Sequence, residues 1–292
     1  MRLALSAIAD ELRRLQSEGV KRVSVSEESL AALRGAARRP APARASVPVA
    51  KAPPPAPAPP SEGPKPPDLA ALRARVLPLP DKAARWAALR EIIVQDPNCR
   101  SHVRAGRQVV VGVGDVNARI CFVGEAPGAE EEVQGEPFVG PAGQLLNRMI
   151  AAMGLKRSEV YICNIMNWRP ELPAAADGAQ TGNRPPTAGE MAYCTPYLLA
   201  QLEIVDPAIL VALGATATQG LLGPGTFKAL GEVRGRWHEF AGKPLMVTYH
   251  PSYILRNQTN RSKRMIWEDL LKVMERAGLP VSEKQRRFFL DR

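Results

Sequence analysis

The chain has 292 residues and carries 39 Lys and Arg against 29 Asp and Glu, a formal net charge of +10. It contains no run of about 18 apolar residues, which excludes a recognisable membrane-spanning helix. The expected location is the cytoplasm, and in that reducing compartment the four cysteines are thiols or metal ligands before they are disulfides. The positive charge fits an anionic partner such as nucleic acid, and it fits ordinary solubility equally well.

Residues 1–37 are predicted to form a short helical appendage. The first residues resemble a signal peptide, but the acidic pair Asp10 and Glu11 interrupts the apolar segment that a signal peptide requires. The helix is predicted from apolar residues on one helical face: Leu5, Ile8, Leu12 and Leu15. Residues 38–67 hold 12 of the 28 prolines and no aromatic residue. Such a segment cannot bury enough surface to offset its ordering entropy, which predicts a disordered Pro/Ala-rich linker.

From residue 68 onward, helical patterns alternate with short apolar runs. Strands are predicted over Ala118–Val123, Val160–Ile165, Ala208–Leu213 and Pro244–Tyr249. Helices are predicted over 68–95 with a break near Pro78–Pro80, and over Ala142–Met153, Ala188–Val205, Ala215–Leu222 and Arg261–Ala277. This alternation predicts a three-layer α/β/α domain over 68–280 with a central four-stranded parallel sheet, followed by a basic and aromatic tail over 281–292. In such sheets, function lies at the carboxyl ends of the strands.

The loop after the first predicted strand is rich in glycine and proline and begins Gly124-Glu-Ala-Pro-Gly128. It leads into a helix start that favours an anion, but its glycine spacing fits neither a P-loop nor a dinucleotide-binding fingerprint. Glu125 follows the strand directly and is held rigidly by the Pro-Gly turn. It is a candidate catalytic carboxylate, and the plainer alternative is a carboxylate that caps local amides.

Two other strand ends carry polar side chains. His250 ends the last predicted strand, and Ser252 and Arg256 follow in the same loop, where they could hold a phosphate. A histidine in this position is a candidate for charge stabilisation or acid–base work. Asn164 interrupts an apolar strand, and from the strand alone a satisfied core asparagine is the favoured interpretation.

The segments GEAPG, EEEVQGEPFVGPAGQLL and HPSYILR, together with Asn164, resemble the family-4 uracil-DNA glycosylases. The similarity runs from about Asp96 to about Ala277. It implies hydrolysis of the N-glycosidic bond of deoxyuridine in DNA, with a uracil pocket at the strand ends. By motif position, Glu125 acts on the water or the sugar cation, and His250 stabilises the departing uracil.

The same resemblance implies further roles by motif position. Asn164 reads the uracil edge, Phe138 stacks on the base, Ala126 gives a backbone contact and Glu131 lines the pocket. Ser252 and Arg256 would hold the flanking phosphates. The duplex would have to release the base into this pocket, because a stacked base is out of reach.

Members of this family usually hold a [4Fe–4S] cluster through four cysteines. Here only Cys99 and Cys194 occupy ligand positions, while Asp96 and Trp168 replace the other two. Cys121 and Cys163 lie inside strands, where thiols pack as small apolar groups. Because such a cluster needs four thiolates, we expect no cofactor, with a [4Fe–4S] cluster on unusual ligands as the alternative.

The sequence thus predicts a monomeric uracil-DNA glycosylase of base-excision repair. The alternatives are a non-catalytic DNA-binding module on the same fold and, more weakly, a nucleotide-handling α/β enzyme. The tail Gln285-Arg-Arg-Phe288-Phe289-Leu290 resembles bacterial peptides that bind the sliding clamp. Packing of this tail on the body is favoured over clamp binding, because short motifs often mislead.

Overall fold

The computed structural model describes residues 64–171 and 182–290. All of them belong to one unit, Ser61–Arg292. Its strands are β1 Val113–Gly114, β2 Ile120–Gly124, β3 Tyr161–Asn164, β4 Ile209–Leu213, β5 Trp237–Phe240 and β6 Lys243–Thr248. They form one sheet in the order β1-β3-β2-β4-β6-β5.

The four central strands, β3, β2, β4 and β6, are parallel. This confirms the four predicted strands, each to within two residues at either end. The short edge strands β1 and β5 pair antiparallel and enlarge the predicted four-stranded sheet to six strands. Neither edge strand shows a continuous apolar run, because β1 has two residues and β5 is only partly buried.

Ten α-helices lie within the described residues. They are α1 Leu69–Val76, α2 Lys82–Gln95, α3 Pro97–Ser101, α4 Ala129–Gln134, α5 Pro141–Ala152, α6 Ala188–Val205, α7 Ala215–Leu222, α8 Pro251–Arg256, α9 Asn260–Arg276 and α10 Glu283–Arg286. The bounds predicted for α6 and α7 are those observed. The helices α3, α4, α8 and α10 are four to six residues long, too short for a hydrophobic period to reveal them.

Two hydrophobic layers cover the sheet, as a three-layer fold requires. Alternate residues of β2 point to opposite faces: Phe122 packs with α5 and α9, whereas Val123 packs with α6 and α7. A third cluster joins α1, α2 and α3 to the outer face of α6. All five residues of β2 and of β4 are buried, which explains their continuous apolar sequence.

The C-terminal tail packs on the body. The carbonyl of Gln285 accepts from Trp267 Nε1 at 2.6 Å, and Gln285 Nε2 donates to the carbonyl of Ala152 at 2.8 Å. Phe288 packs on Trp267, with ring centroids 5.2 Å apart, while Phe289 and Leu290 stay exposed. Gln285 and Phe288 of the clamp-like motif therefore contact the body of the same chain, as expected if the tail packs there. Clamp binding stays a prediction.

The predicted N-terminal appendage and most of the predicted linker lie outside the described residues. So does the part of the loop between β3 and α6 that runs over 172–181. Within the two described segments, no helix is long and apolar enough to cross a membrane.

Candidate active site

The carboxyl edge of the parallel strands collects the polar residues singled out in the sequence. Gly124, the last residue of β2, is in register with Asn164 of β3. Leu213 of β4 is in register with Thr248 of β6, two residues before His250. Glu125, Asn164 and His250 therefore emerge at the same edge, although they are up to 125 residues apart in the chain.

Glu125 is half-buried beside the start of α7. Its backbone carbonyl accepts from the N–H of Met166 at 3.1 Å, which fixes the loop to the chain that leaves β3. Burial raises the pKa of the Glu125 carboxyl, and a hydrogen bond with the side chain of Thr216 partly opposes that rise. A carboxylate that is partly buried and only weakly stabilised by hydrogen bonds has a raised proton affinity, and it is therefore suited to accepting a proton.

His250 caps the N-terminus of α8 through its ring. Nδ1 accepts the backbone N–H of Ser252 at 3.2 Å and lies 2.9 Å from Ser252 Oγ. Because Nδ1 is an acceptor in this arrangement, the proton of the neutral ring lies on Nε2. Burial, and next the charge of Arg256, lower the pKa of His250 to about 4 against an opposing effect of Glu131. The ring is thus a neutral Nε2–H donor at neutral pH.

Phe138 and Asn164 form a cradle across Gly124. A Cβ atom at Gly124 would come within 2.4 Å of Asn164 Oδ1 and 2.5 Å of the Phe138 ring, so a residue with a side chain would close this space. The Phe138 ring centroid lies 5.6 Å from that of His250. Asn164 Oδ1 is buried and has no hydrogen-bond partner among the described residues. An unpaired buried acceptor is costly, which indicates that a ligand supplies its donor.

Phe138 has a left-handed backbone, with φ of 55°, which costs free energy in a bulky residue. Arg157 donates to the carbonyls of Pro137 and Phe138, at 2.6 and 3.1 Å, and to Asn147 Oδ1 at 3.0 Å. At Gly143, a Cβ atom would lie 1.9 Å from the Phe138 carbonyl oxygen, so only glycine allows α5 to approach. These contacts fix the position of the Phe138 ring, which forms one side of the cradle.

Glu131 braces the same loop. One carboxylate oxygen accepts from the N–H groups of Val139 and Gly140, both at 3.0 Å, and the other accepts from Gly128 at 3.1 Å. Its observed contacts are therefore with backbone amides within the loop. Its place in the pocket lining stays a prediction.

The remaining predicted residues surround the same edge. Ser252 contacts His250, as described above, and Arg256 ends α8 one helical turn later, close enough for its charge to affect the histidine. Ala126 is half-buried and packs on the cluster that contains Trp168. Arg157 and Thr216 were not singled out in the sequence. The only signal for Thr216 was its place after a predicted strand end, and Arg157 stands between elements in an unremarkable segment.

The four positions aligned with cluster ligands do meet in space, within the cluster around α3 and α6. Asp96 accepts from the hydroxyls of Tyr193 and Tyr197 at 3.0 and 2.9 Å and from the N–H of Cys99 at 2.7 Å. The ring of Trp168 is 1% exposed and stacks on His102 at 4.6 Å. The carboxylate and the indole therefore lie in the same buried cluster as the two thiols.

This donor set does not fit a four-iron cluster. A hydrogen bond that the Cys99 thiol donates to Cys194, together with burial, raises the pKa of Cys99, which opposes the thiolate form that iron requires. Trp168 cannot act as a ligand, and the oxygens of Asp96 already have partners. Cys121 and Cys163 lie 3.8 Å apart but belong to a different cluster, between the sheet and α6. No group of three or more potential metal ligands occurs in the described part of the chain.

Comparisons with known proteins agree with this geometry. The family model described as "Uracil DNA glycosylase superfamily" matches residues 111–271, just over half of the chain. The chain is 44% identical over 165 residues to a type-4 uracil-DNA glycosylase of Thermotoga maritima, covering 56% of this chain and 80% of the relative. It is 42% identical over 152 residues to a type-4 enzyme of Archaeoglobus fulgidus, covering 50% and 71%.

A type-5 uracil-DNA glycosylase of Pyrobaculum aerophilum is more distant, at 32% identity over 175 residues, with 56% of this chain and 73% of the relative covered. The matched region contains β2, β3, β4 and β6, and with them Glu125, Phe138, Asn164 and His250. The chain therefore belongs to the uracil DNA glycosylase superfamily and resembles its type-4 members.

Proposed function

We propose that this protein is a DNA N-glycosylase that hydrolyses the N-glycosidic bond of deoxyuridine, releases uracil and leaves an abasic site for base-excision repair. The observation that carries the proposal is a cradle between Phe138 and Asn164, flanked by a carboxylate and a neutral imidazole donor. The names of the type-4 relatives support the same reaction.

The proposed transition state carries positive charge on the sugar and negative charge on the uracil. Glu125, in its ionised form, activates the attacking water or stabilises the sugar cation. His250 donates from Nε2 to the uracil oxygen that gains charge as the bond breaks. Two fixed groups of complementary character stabilise both ends of the breaking bond without reorganisation.

Selection of uracil is assigned to the cradle. The Asn164 amide offers one acceptor and one donor, which match the N3–H and a carbonyl of uracil, whereas cytosine lacks the N3–H. The unpaired Asn164 Oδ1 supports this role. Phe138 stacks on the extruded base, Ala126 contributes a backbone contact and Glu131 completes the lining.

Ser252 and Arg256 are proposed to hold the phosphates next to the extruded nucleotide. Such contacts supply affinity without reading sequence. The protein is proposed to act as a cytoplasmic monomer and without an iron–sulfur cluster. The occupied carboxylate of Asp96 and the buried indole of Trp168 support the last point.

The test uses the full-length protein and an oligonucleotide with one deoxyuridine. Alkaline treatment after incubation is expected to cleave the strand at that position, whereas the matching thymidine oligonucleotide stays intact. Binding of the uracil strand without cleavage would contradict the proposal and favour a non-catalytic DNA-binding module.

A further inference from the structure

A cavity of about 430 Å³ lies between α2, α3 and the segment 103–109, outside the candidate active site. Four arginines line it: Arg90, Arg100, Arg104 and Arg107. None of its described lining residues is Asp or Glu. Four guanidinium groups around one opening create a strong positive potential, which attracts an anion.

Glu132 compensates the charge of Arg107 only in part. Arg107 Nε lies 3.9 Å from Glu132 Oε1, but the same oxygen accepts from Arg169 Nη1 at 3.2 Å. Because Arg169 is buried, its pairing with Glu132 is less screened than that of the exposed Arg107. Arg100 donates to the neutral amide oxygen of Gln95 at 2.9 Å, which leaves its charge uncompensated.

The cavity is fixed to the loop that carries Glu125. The N–H of Gln108 donates to the carbonyl of Glu132 at 2.7 Å, and Gln108 Nε2 donates to the carbonyl of Val133 at 2.9 Å. Both acceptors belong to α4, which begins four residues after Glu125 and is about 9 Å long at 1.5 Å per residue.

The strand order sets the cavity and the helix α8 on opposite sides of Glu125. The N–H of Val110 donates to the carbonyl of Asn167 at 2.8 Å, which ties the cavity wall to the chain leaving β3. His250, Ser252 and Arg256 follow β6. Because the order is β3-β2-β4-β6, Glu125 at the end of β2 lies between these two basic regions.

We propose that Arg90, Arg100 and Arg107 bind the phosphate backbone of the DNA substrate on one flank of the extruded deoxyuridine. This contact lies on the side opposite to Ser252 and Arg256. The inference rests on the proposed function for its ligand, and it adds a second phosphate-binding region that the candidate active site does not include.

The test compares the Arg90→Gln/Arg100→Gln variant with a Lys284→Gln/Arg287→Gln control of equal charge. All four side chains are exposed. The control pair lies on and next to α10, which is tied to Ala152 at the far end of α5, about 18 Å along that helix from Phe138. Thermal unfolding establishes that both full-length variants are folded.

Affinity for a fluorescent, uracil-free single strand is measured between 50 and 200 mM NaCl. The cavity variant is expected to bind roughly tenfold more weakly at the lowest salt and to reduce the slope of log K against log[salt] by about 1.5. The control should keep the wild-type slope. An unchanged slope in the cavity variant, or an equal change in the control, overturns the proposal.

Two further measurements fix the position and the ligand. In a series of uracil strands shortened from either end, the difference between cavity variant and wild type should disappear when one flank is shortened and should persist when the other is. A difference that is independent of flank length overturns the proposed position. Inorganic phosphate at matched ionic strength should not compete, and effective competition would identify a small-anion site instead.

Single-turnover excision of uracil, measured at saturating protein, tests the proposed function independently of the proposed phosphate contact. The cavity variant should release uracil within twofold of the wild-type single-turnover rate, because the cavity does not touch the base. A wild-type protein that excises nothing defeats the proposed function, while the salt slopes still decide the phosphate contact.

Discussion

The guanidinium of Arg157 donates to the backbone carbonyl of Phe138 at 3.1 Å, so a half-buried cation maintains the left-handed backbone of the residue that closes the base cradle. The same guanidinium also holds Pro137 and Asn147, and it therefore ties the loop to α5. The orientation of the stacking ring therefore depends on Arg157, which follows the C-terminal end of α5.

Replacement of Arg157 by lysine is expected to lower kcat/KM for uracil-DNA about tenfold. A lysine ammonium cannot hold two carbonyls and an amide in one plane, and release of a strained backbone involves about 1–3 kcal/mol. Single-turnover excision and binding of uracil-free DNA are measured together, and only excision should change. Arg119→Lys, at the amino end of β2, is the control. Unchanged excision would show that Arg157 does not position Phe138.

The Glu125→Gln variant is expected to lose activity and gain stability. Loss of a group that stabilises the transition state lowers the rate on the order of 10²–10³. The raised pKa of Glu125 means that its ionised form is disfavoured in the folded protein, so a neutral isostere raises the Tm at pH 7. The exposed Glu130→Gln is the matched control and should alter neither property. Retained excision in Glu125→Gln would remove this residue from the mechanism.

The pH dependence should separate Glu125 from His250. The active form of Glu125 is ionised, and burial raises its pKa above the ordinary value of 4.5, so kcat/KM should begin to fall on acidification while the pH is still above 4.5. His250, with a pKa of about 4, stays neutral over that range and adds no inflection near 6.5. An inflection of kcat/KM near pH 6.5 that disappears in His250→Gln would contradict the assignment of His250 as a neutral donor.

His250 should also make the folded state sensitive to acid. Its pKa is lowered from 6.5 to about 4 on folding, so between these values the unfolded chain binds a proton that the folded protein does not. The free energy of unfolding therefore falls as the pH drops through this window. Urea denaturation at pH 7, 6 and 5 should show a smaller decline in His250→Gln. Parallel declines in the two proteins would contradict this prediction.

Asn164→Asp should weaken excision of uracil by about 10²-fold or more. A carboxylate replaces the amide donor and faces a uracil carbonyl, which leaves a buried acceptor opposite another acceptor. Excision of uracil and binding of undamaged DNA are compared, and binding should be retained. Asn117→Asp, in the loop before β2, serves as the control. Equal kinetics in Asn164→Asp and wild type would remove the amide from base recognition.

The cluster positions allow a gain-of-function test. Wild-type protein purified without oxygen should contain no stoichiometric iron or sulfide. The Asp96→Cys/Trp168→Cys variant restores four cysteines around one space, so after reconstitution with iron and sulfide it should become brown and bind about four irons. Trp168→Ala alone is the control for the lost indole. Near-stoichiometric iron and sulfide in the wild type would show that unusual ligands hold a cluster.

The sequence by itself determined the four parallel strands and the long helices that cover them. Continuous apolar runs such as Ile120–Val123 identify strands that are buried on both faces, because such residues are stable only between two layers. Glu125, Asn164 and His250 could be predicted together because each ends or follows such a strand. Parallel strands bring their carboxyl ends to one edge whatever their separation in the chain.

Only the tertiary structure decided what these side chains contact. The proton of His250 is assigned to Nε2 because Ser252 occupies Nδ1, and the pKa values of Glu125 and His250 depend on burial by elements distant in sequence. Arg157 and Thr216 gained roles through contacts across more than fifteen residues, which no local pattern encodes. The contacts that Asp96 makes with Tyr193 and Tyr197 were likewise visible only in the tertiary structure, as was the stacking of Trp168 on His102. Hydrogen bonding and packing act between neighbours in space, which the sequence does not list.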